Sequence, residues 1–215
     1  MLRLLRFPRS EPPREPSPTP AIDPLGPLLR SALGGDREAE RTLLVSLGPS
    51  LLRAVRGVLG AASPDVEDVL QEAMTAVYSA LPSFRGECKV VHFASRVAVQ
   101  TALAARRRAG YRARYTPLTA PDELVELPSA EASPSEAHRS AERRRALRRL
   151  LDELPDVQAE ALVLHTLLGY SVDETAEAQR VPLNTARSRL RNALASLRSI
   201  LTADPRLLAL LELDR

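Results

Sequence analysis

From about Leu25 onward, apolar positions recur along most of the chain at helical spacing. Gly34-Gly35-Asp36 reads as a stop followed by an N-cap, and Leu43, Leu44 and Leu47 repeat behind it. Gly48-Pro49 predicts a break before the next stripe, Leu51, Leu52, Val55, Val58 and Leu59, which Gly60 ends. Ser63-Pro64 predicts a cap and a first-turn proline for a third helix that runs to about Leu81 and stops at Pro82. A polar loop over 82–89 leads to a fourth helix over about 90–110, which ends in Arg106-Arg107-Arg108. Further helices are expected at about 141–153, 156–168, 171–179 and 184–202. Leu207, Leu208, Leu210 and Leu211 form either a short docked helix or a frayed end.

Proline divides this pattern. Residues 1–24 carry Pro8, Pro12, Pro13, Pro16, Pro18, Pro20 and Pro24, which predicts a disordered tail. Residues 112–140 carry Pro117, Pro121, Pro128 and Pro134 with weak periodicity, the signature of a linker. The expected fold is all-α, with two small helical domains at 25–111 and 141–202, a flexible linker between them and a tail at 203–215.

Composition agrees. Of 215 residues 44% are apolar, enough for a core, but only 7 are Phe or Tyr and none is Trp. Ala and Leu therefore do the packing, and a β-sandwich or large barrel is disfavoured. No run of eighteen apolar residues occurs, so no membrane-crossing helix is expected. Met1 to Ser10 contain three arginines and run into prolines, leaving no continuous apolar segment of a secretion signal. The single cysteine, Cys88, excludes an intrachain disulfide and any Cys-rich zinc site, as suits a reducing cytoplasm.

The net charge of +3 is modest, but its distribution is not. On the third helix Asp65, Asp68 and Glu72 lie nearly opposite Val66, Val69, Leu70, Ala73 and Val77. That acidic face is either simply solvated or a docking surface for a basic partner, and spacing does not choose. On the fourth helix Arg96, Gln100 and Arg107 form a polar stripe, while Phe93, Val97 and Ala104 face elsewhere, expected inward. Arg106, Arg107 and Arg108 with Arg112 and Arg114 suit phosphate oxygens, or equally a solubilising helix end.

The C-terminal part is more specific. Ser171 with Glu174 three residues later makes a capping box, and Gln179-Arg-Val-Pro makes a tight turn into a second, basic helix opened by Asn184-Thr185. This is the pattern of a helix-turn-helix, with Asn184, Arg187, Ser188 and Arg191 on one stripe and Ala186, Leu190, Ala193 and Leu197 on the buried one. Arg and Asn suit bidentate contacts with base edges. Catalytic chemistry has little support. His92, His138 and His165 are dispersed, Cys88 and His92 give too few ligands for a metal, and no phosphate loop or nucleophile motif occurs. No enzyme, metal site, cofactor or small-molecule substrate is expected.

Taken in order, the motifs resemble those of the extracytoplasmic-function group of sigma-70 family factors. The pieces are Gly35-Asp-Arg-Glu-Ala, Asp65-Val-Glu-Asp-Val-Leu-Gln-Glu, Leu81-Pro-Ser-Phe-Arg-Gly-Glu and Arg96-Val-Ala, then Leu150-Leu-Asp-Glu-Leu-Pro, Tyr170-Ser-Val-Asp-Glu-Thr-Ala-Glu and Val181-Pro-Leu-Asn-Thr-Ala-Arg-Ser-Arg-Leu. They span roughly 28–110 and 141–200. The resemblance implies an alternative sigma factor that binds core RNA polymerase and directs promoter-specific initiation. It implies that Asp65, Asp68, Gln71 and Glu72 grip the polymerase, and that Phe84, Arg85, Arg96, Gln100, Arg106, Arg107 and Arg108 meet the −10 element. Asn184, Thr185, Arg187, Ser188, Arg189 and Arg191 would meet the −35 element. Promoter DNA and core polymerase are the implied partners, and an anti-sigma factor is a further family expectation.

Four positions depart from the family pattern. Phe93 stands for its usual Trp, Gln100 and Ala104 for its usual Asn and Asp, and Arg180 for the glycine of the helix-turn-helix turn. If that turn needs φ > 0, arginine there costs about 1 kcal/mol. Two other readings compete: a DNA-binding regulator of this fold that no longer initiates, and a helical protein-interaction adaptor.

Overall fold

The computed structural model describes residues 23–61, 63–115 and 150–204. The expected N-terminal tail, linker and C-terminal tail lie wholly or largely outside these residues. Those described are helical and contain no strand.

Helix α1 (Gly26–Leu33) stops at Gly34, and Asp36 caps α2 by accepting from the N–H groups of Glu38 (2.9 Å) and Ala39 (3.1 Å). The sequence predicts a break at Gly48-Pro49, but α2 is continuous over Arg37–Leu59. The apolar register explains the difference, since Leu43, Leu47, Leu51, Val55 and Val58 stay buried on one face across the proline. Pro49 and Val45 lie on the exposed side, where water can serve the carbonyl that proline leaves unbonded. Unbroken, α2 is long and apolar enough to cross a bilayer by those measures alone. The expectation of no such helix is corrected to that extent; its buried face, however, forms the middle of a helical bundle.

Helix α3 (Val66–Ala80) follows a turn rather than a side-chain cap. The expected hydroxyl cap from Ser63 is not made; its carbonyl accepts from Val66 N–H instead, at 3.2 Å. Leu81–Ser83 tighten into a 3₁₀ turn that contains Pro82. Helix α4 (Val90–Tyr115) packs Ala94, Ala98, Val99, Ala102 and Leu103 against α2 and α3. Small residues along this face let the backbones approach closely. Phe93 is buried as expected, while Val97 and Ala104 are only half-buried.

The second bundle begins with helical residues 150–152 and α5 (Asp156–Leu162), which widens into a π-helical turn over Val163–Leu167. Helix α6 (Val172–Gln179) carries the predicted capping box: Ser171 Oγ accepts from Glu174 N–H and Glu174 Oε2 from Ser171 N–H, both at 3.0 Å. Arg180 then adopts the left-handed conformation, φ 53° and ψ 49°. Pro182 leads into α7 (Leu183–Ala203), whose Ala186, Leu190, Ala193, Leu194 and Leu197 are buried. The two bundles are packed together, and one apolar cluster runs from Leu43 and Val58 through Ala102 to Leu150, Ala159, Val163 and Leu194.

Candidate nucleic-acid interface

Helix α7 follows the turn at Arg180 and presents Asn184, Arg187 and Arg191 to solvent, opposite buried Leu190 and Leu197. Thr185 and Ser188 are half-buried, and Arg191 Nη2 lies 3.5 Å from Ser188 Oγ. Arg189 behaves differently. Its Nη1 donates to Gln179 Oε1 at 3.0 Å, so this arginine ties α7 back to α6. A few polar side chains at the start of an exposed helix can read base edges in a major groove.

In the first bundle, Asp65, Asp68, Gln71 and Glu72 are exposed on α3 as one polar face. Glu72 accepts from Arg108 Nη2 of α4 at 2.6 Å. The three consecutive arginines diverge, because neighbours on a helix point about 100° apart. Arg106 is 8% exposed, forks onto both oxygens of Asp152 at 2.9 and 3.0 Å and reaches the carbonyl of Val58. Its expected place on a DNA-facing surface is therefore not what the fold provides; it straps the two bundles together. Arg107 pairs with Asp156 at the same seam. Phe84 is half-buried against Phe93, ring centroids 5.2 Å apart, and Arg85 is exposed.

The polar stripe of α4 also meets the second bundle. Glu160 of α5, 5% exposed, accepts from Arg96 Nε (3.0 Å), Gln100 Nε2 (2.8 Å) and Gln179 Nε2 (3.0 Å). A buried carboxylate is tolerable only with such donors. Sequence reading missed Glu160. The available signal was one acid inside the otherwise apolar segment 159–164.

Near this seam His92, Glu174 and Cys88 are shifted from their ordinary pKa values. Lys89 Nζ lies 3.4 Å and His92 Nε2 3.7 Å from Glu174 Oε1, and the His92 ring packs on Tyr170 at 4.4 Å. Burial pushes the His92 pKa below its ordinary value despite the carboxylate, because the ring is almost wholly enclosed. Burial would raise Glu174, but the Ser171 N–H, His92 and Lys89 more than offset it and its pKa falls. Burial, helped by Glu177, pushes the half-buried Cys88 thiol up to about 11, which leaves it unreactive near neutrality. His165 Nδ1 lies 2.7 Å from the Tyr170 carbonyl oxygen and braces the π-helical turn. Among the described residues no group of three or more His, Cys, Asp or Glu could hold a metal.

Two family models match the chain: sigma-70 region 2 over residues 43–112 and sigma-70, region 4 over 144–197. The chain is 30% identical to the ECF RNA polymerase sigma factor SigD of Mycobacterium tuberculosis, over 87% of this chain and 89% of that one. It is 32% identical to the ECF sigma factor ShbA of Streptomyces griseus (78% and 93% covered) and 30% to the ECF sigma-E factor of Escherichia coli (74% and 84%). Among solved structures, CnrH in complex with the cytosolic domain of CnrY shares the fold, with a TM-score of 0.52, 22% identity and 82% of this chain covered.

Proposed function

Because this chain belongs to the sigma-70 family, in its ECF group, and so directs RNA polymerase to promoters, we propose that its two bundles divide the promoter between them. Residues 25–111 form the unit that binds core polymerase and the −10 element, and 141–202 the unit that reads the −35 element. Residues 112–140 join them, with tails at 1–24 and 203–215. On α3, Asp65, Asp68, Gln71 and Glu72 offer an exposed acidic face to a basic surface of the polymerase. Phe84, Arg85, Arg96, Gln100, Arg107 and Arg108 serve the −10 element, and Asn184, Thr185, Arg187, Ser188 and Arg191 the −35 element. The protein is cytoplasmic and is not itself an enzyme; nucleotidyl transfer belongs to the polymerase.

The observation that supports this division most directly is α7. Its exposed Asn184, Arg187 and Arg191 follow a capped helix and a tight turn, the geometry that presents a helix N-terminus to a groove. Phosphate contacts fix register, and the few base-edge contacts supply preference. Reconstitution with core polymerase over a randomised promoter library tests the reading. Transcripts should start only when this chain is present, from sites sharing a −35 and a −10 pattern. Binding to core without initiation would favour a sigma-like regulator instead.

A further inference from the structure

Where α6 turns into α7 the surface carries an open groove of about 410 Å³. Ala176, Val181 and Leu183 give it apolar walls, and Glu87, Asp173 and Glu177 stand around it as exposed acids. Asp173 and Glu177 lie one helical turn apart, so their like charges repel, and among the described residues neither makes an ion pair. Burial first, then Glu174 and Asp173, push the Glu177 carboxyl above its ordinary pKa and outweigh Lys89. Arg180, the one cation lining the groove, is already engaged by Glu87 and by the ring of Phe93. The groove therefore favours an occupant that is apolar and cationic at once.

The chain brings such a segment close to it. Asp23, the first described residue, accepts from the N–H of Val90 through Oδ2, and Val90 stands three positions after Glu87. Three residues span at most about 11 Å, so the chain ahead of Asp23 joins the fold near the groove. Residues 2–9 intersperse Leu2, Leu4, Leu5 and Phe7 with Arg3, Arg6 and Arg9 and contain no acid. Residues 10–22 can extend over roughly 40 Å, enough to bring that segment back. The apolar run at 207–211 has the wrong sign, since it holds no cation and is followed by Glu212.

Resting on the promoter-recognition reading above, we propose that residues 2–9 dock in this groove and shield the start of the −35-reading helix. Leu183 is the first residue of α7 and precedes Asn184, so a segment seated on it stands in front of the base-reading side chains. Tethering makes the docking intramolecular, at an effective concentration in the millimolar range for a short linker, so weak pairwise contacts suffice. DNA and the segment compete for one end of α7, and −35 affinity falls by the fraction of molecules whose groove is vacant.

The test uses the full chain, isotope-labelled, with Cys88→Ser and a nitroxide at Ser10→Cys. The label should broaden the amide signals of Asp173, Glu177 and Val181 and spare Ser199 near the far end of α7. Asp173→Arg with Glu177→Arg should abolish the broadening, and Arg3→Glu, Arg6→Glu and Arg9→Glu added to that chain should restore it. Circular dichroism checks that each variant keeps its helices. A parent chain without broadening at low salt overturns the docking, as does broadening that survives the charge reversal or fails to return. Broadening from a label at Ser129→Cys but not at Ser10→Cys would seat the linker there and equally overturn it. The DNA arm compares Arg3→Ala, Arg6→Ala and Arg9→Ala, combined, with the parent on the −35 duplex that a promoter library selects. Loss of three positive charges alone weakens DNA binding. The docked segment predicts the opposite, a several-fold tightening, and a weakening or no change overturns the shielding. If neither chain selects any sequence, the promoter reading falls, while the broadening still decides the docking.

Discussion

Arg180 sits over the ring of Phe93, its guanidinium carbon 5.5 Å from the ring centroid, while its Nε lies 3.3 Å from Glu87. One residue thus forms the left-handed turn of the helix-turn-helix and a contact to the other bundle. The strain of φ 53° on a residue with a Cβ is of order 1 kcal/mol, and a cation–π contact plus a partly exposed ion pair return about as much. Replacement by glycine should therefore leave stability within about 1 kcal/mol of the parent. Arg180→Ala keeps the strain and loses both contacts, so it should be less stable than Arg180→Gly by about 1 kcal/mol in urea unfolding. Equal stability of the two variants would mean that the turn carries no strain.

Asp68 is exposed on α3, four residues from Glu72, which already pairs with Arg108. Asp68→Arg should weaken core polymerase binding several-fold at moderate salt and leave the circular dichroism spectrum intact. The effect should shrink as ionic strength rises. Unchanged affinity at low salt would remove this face from the polymerase contact.

Arg187 and Arg189 separate in the structure more clearly than in the sequence. Arg187→Ala should cost about 1–3 kcal/mol at the preferred −35 site and relax preference at one base position. Arg189→Ala frees Gln179, a ligand of Glu160, so its main effect should be on thermal stability and on the seam. A promoter-library binding assay at fixed salt compares the two. If both variants lower affinity for every sequence alike, Arg187 contacts only phosphate.

His92 titrates below its ordinary value in the fold, so the unfolded chain takes up more protons as pH drops below about 6.5. Its contribution to stability is complete above that pH and is lost as pH falls toward the folded-state value. Unfolding free energy should thus decline between about pH 7 and pH 5.5, above the range of the carboxylates. His92→Gln should flatten that slope. An equally steep slope in the variant would assign the dependence to another group.

Local chemistry made much of the fold legible. Asp36, the Ser171–Glu174 box and the apolar stripes of α2, α3 and α7 act within a few residues, and the structure realises each of them. Pro49 misled because a local breaker was outweighed by a buried register on both sides of it. Ser63 misled because a neighbouring turn consumed its carbonyl rather than its hydroxyl. The roles of Arg106 and Glu160 depend on partners 46 and 60 residues away, which no helical period encodes. A weaker signal did exist for Arg106: it follows Ala102 by four positions, on the arc that Ala98 and Ala102 bury.

Lys89, ion-paired to Glu174 where the bundles meet, is the sole lysine of the sequence. Amine-directed reagents therefore have a single side-chain target in the whole molecule, and it lies at the junction. An acylating probe would mark one side chain, alongside the α-amino group, without any engineered label. Its reaction rate at Lys89, read by mass spectrometry, becomes a gauge of how often Glu174 lets go.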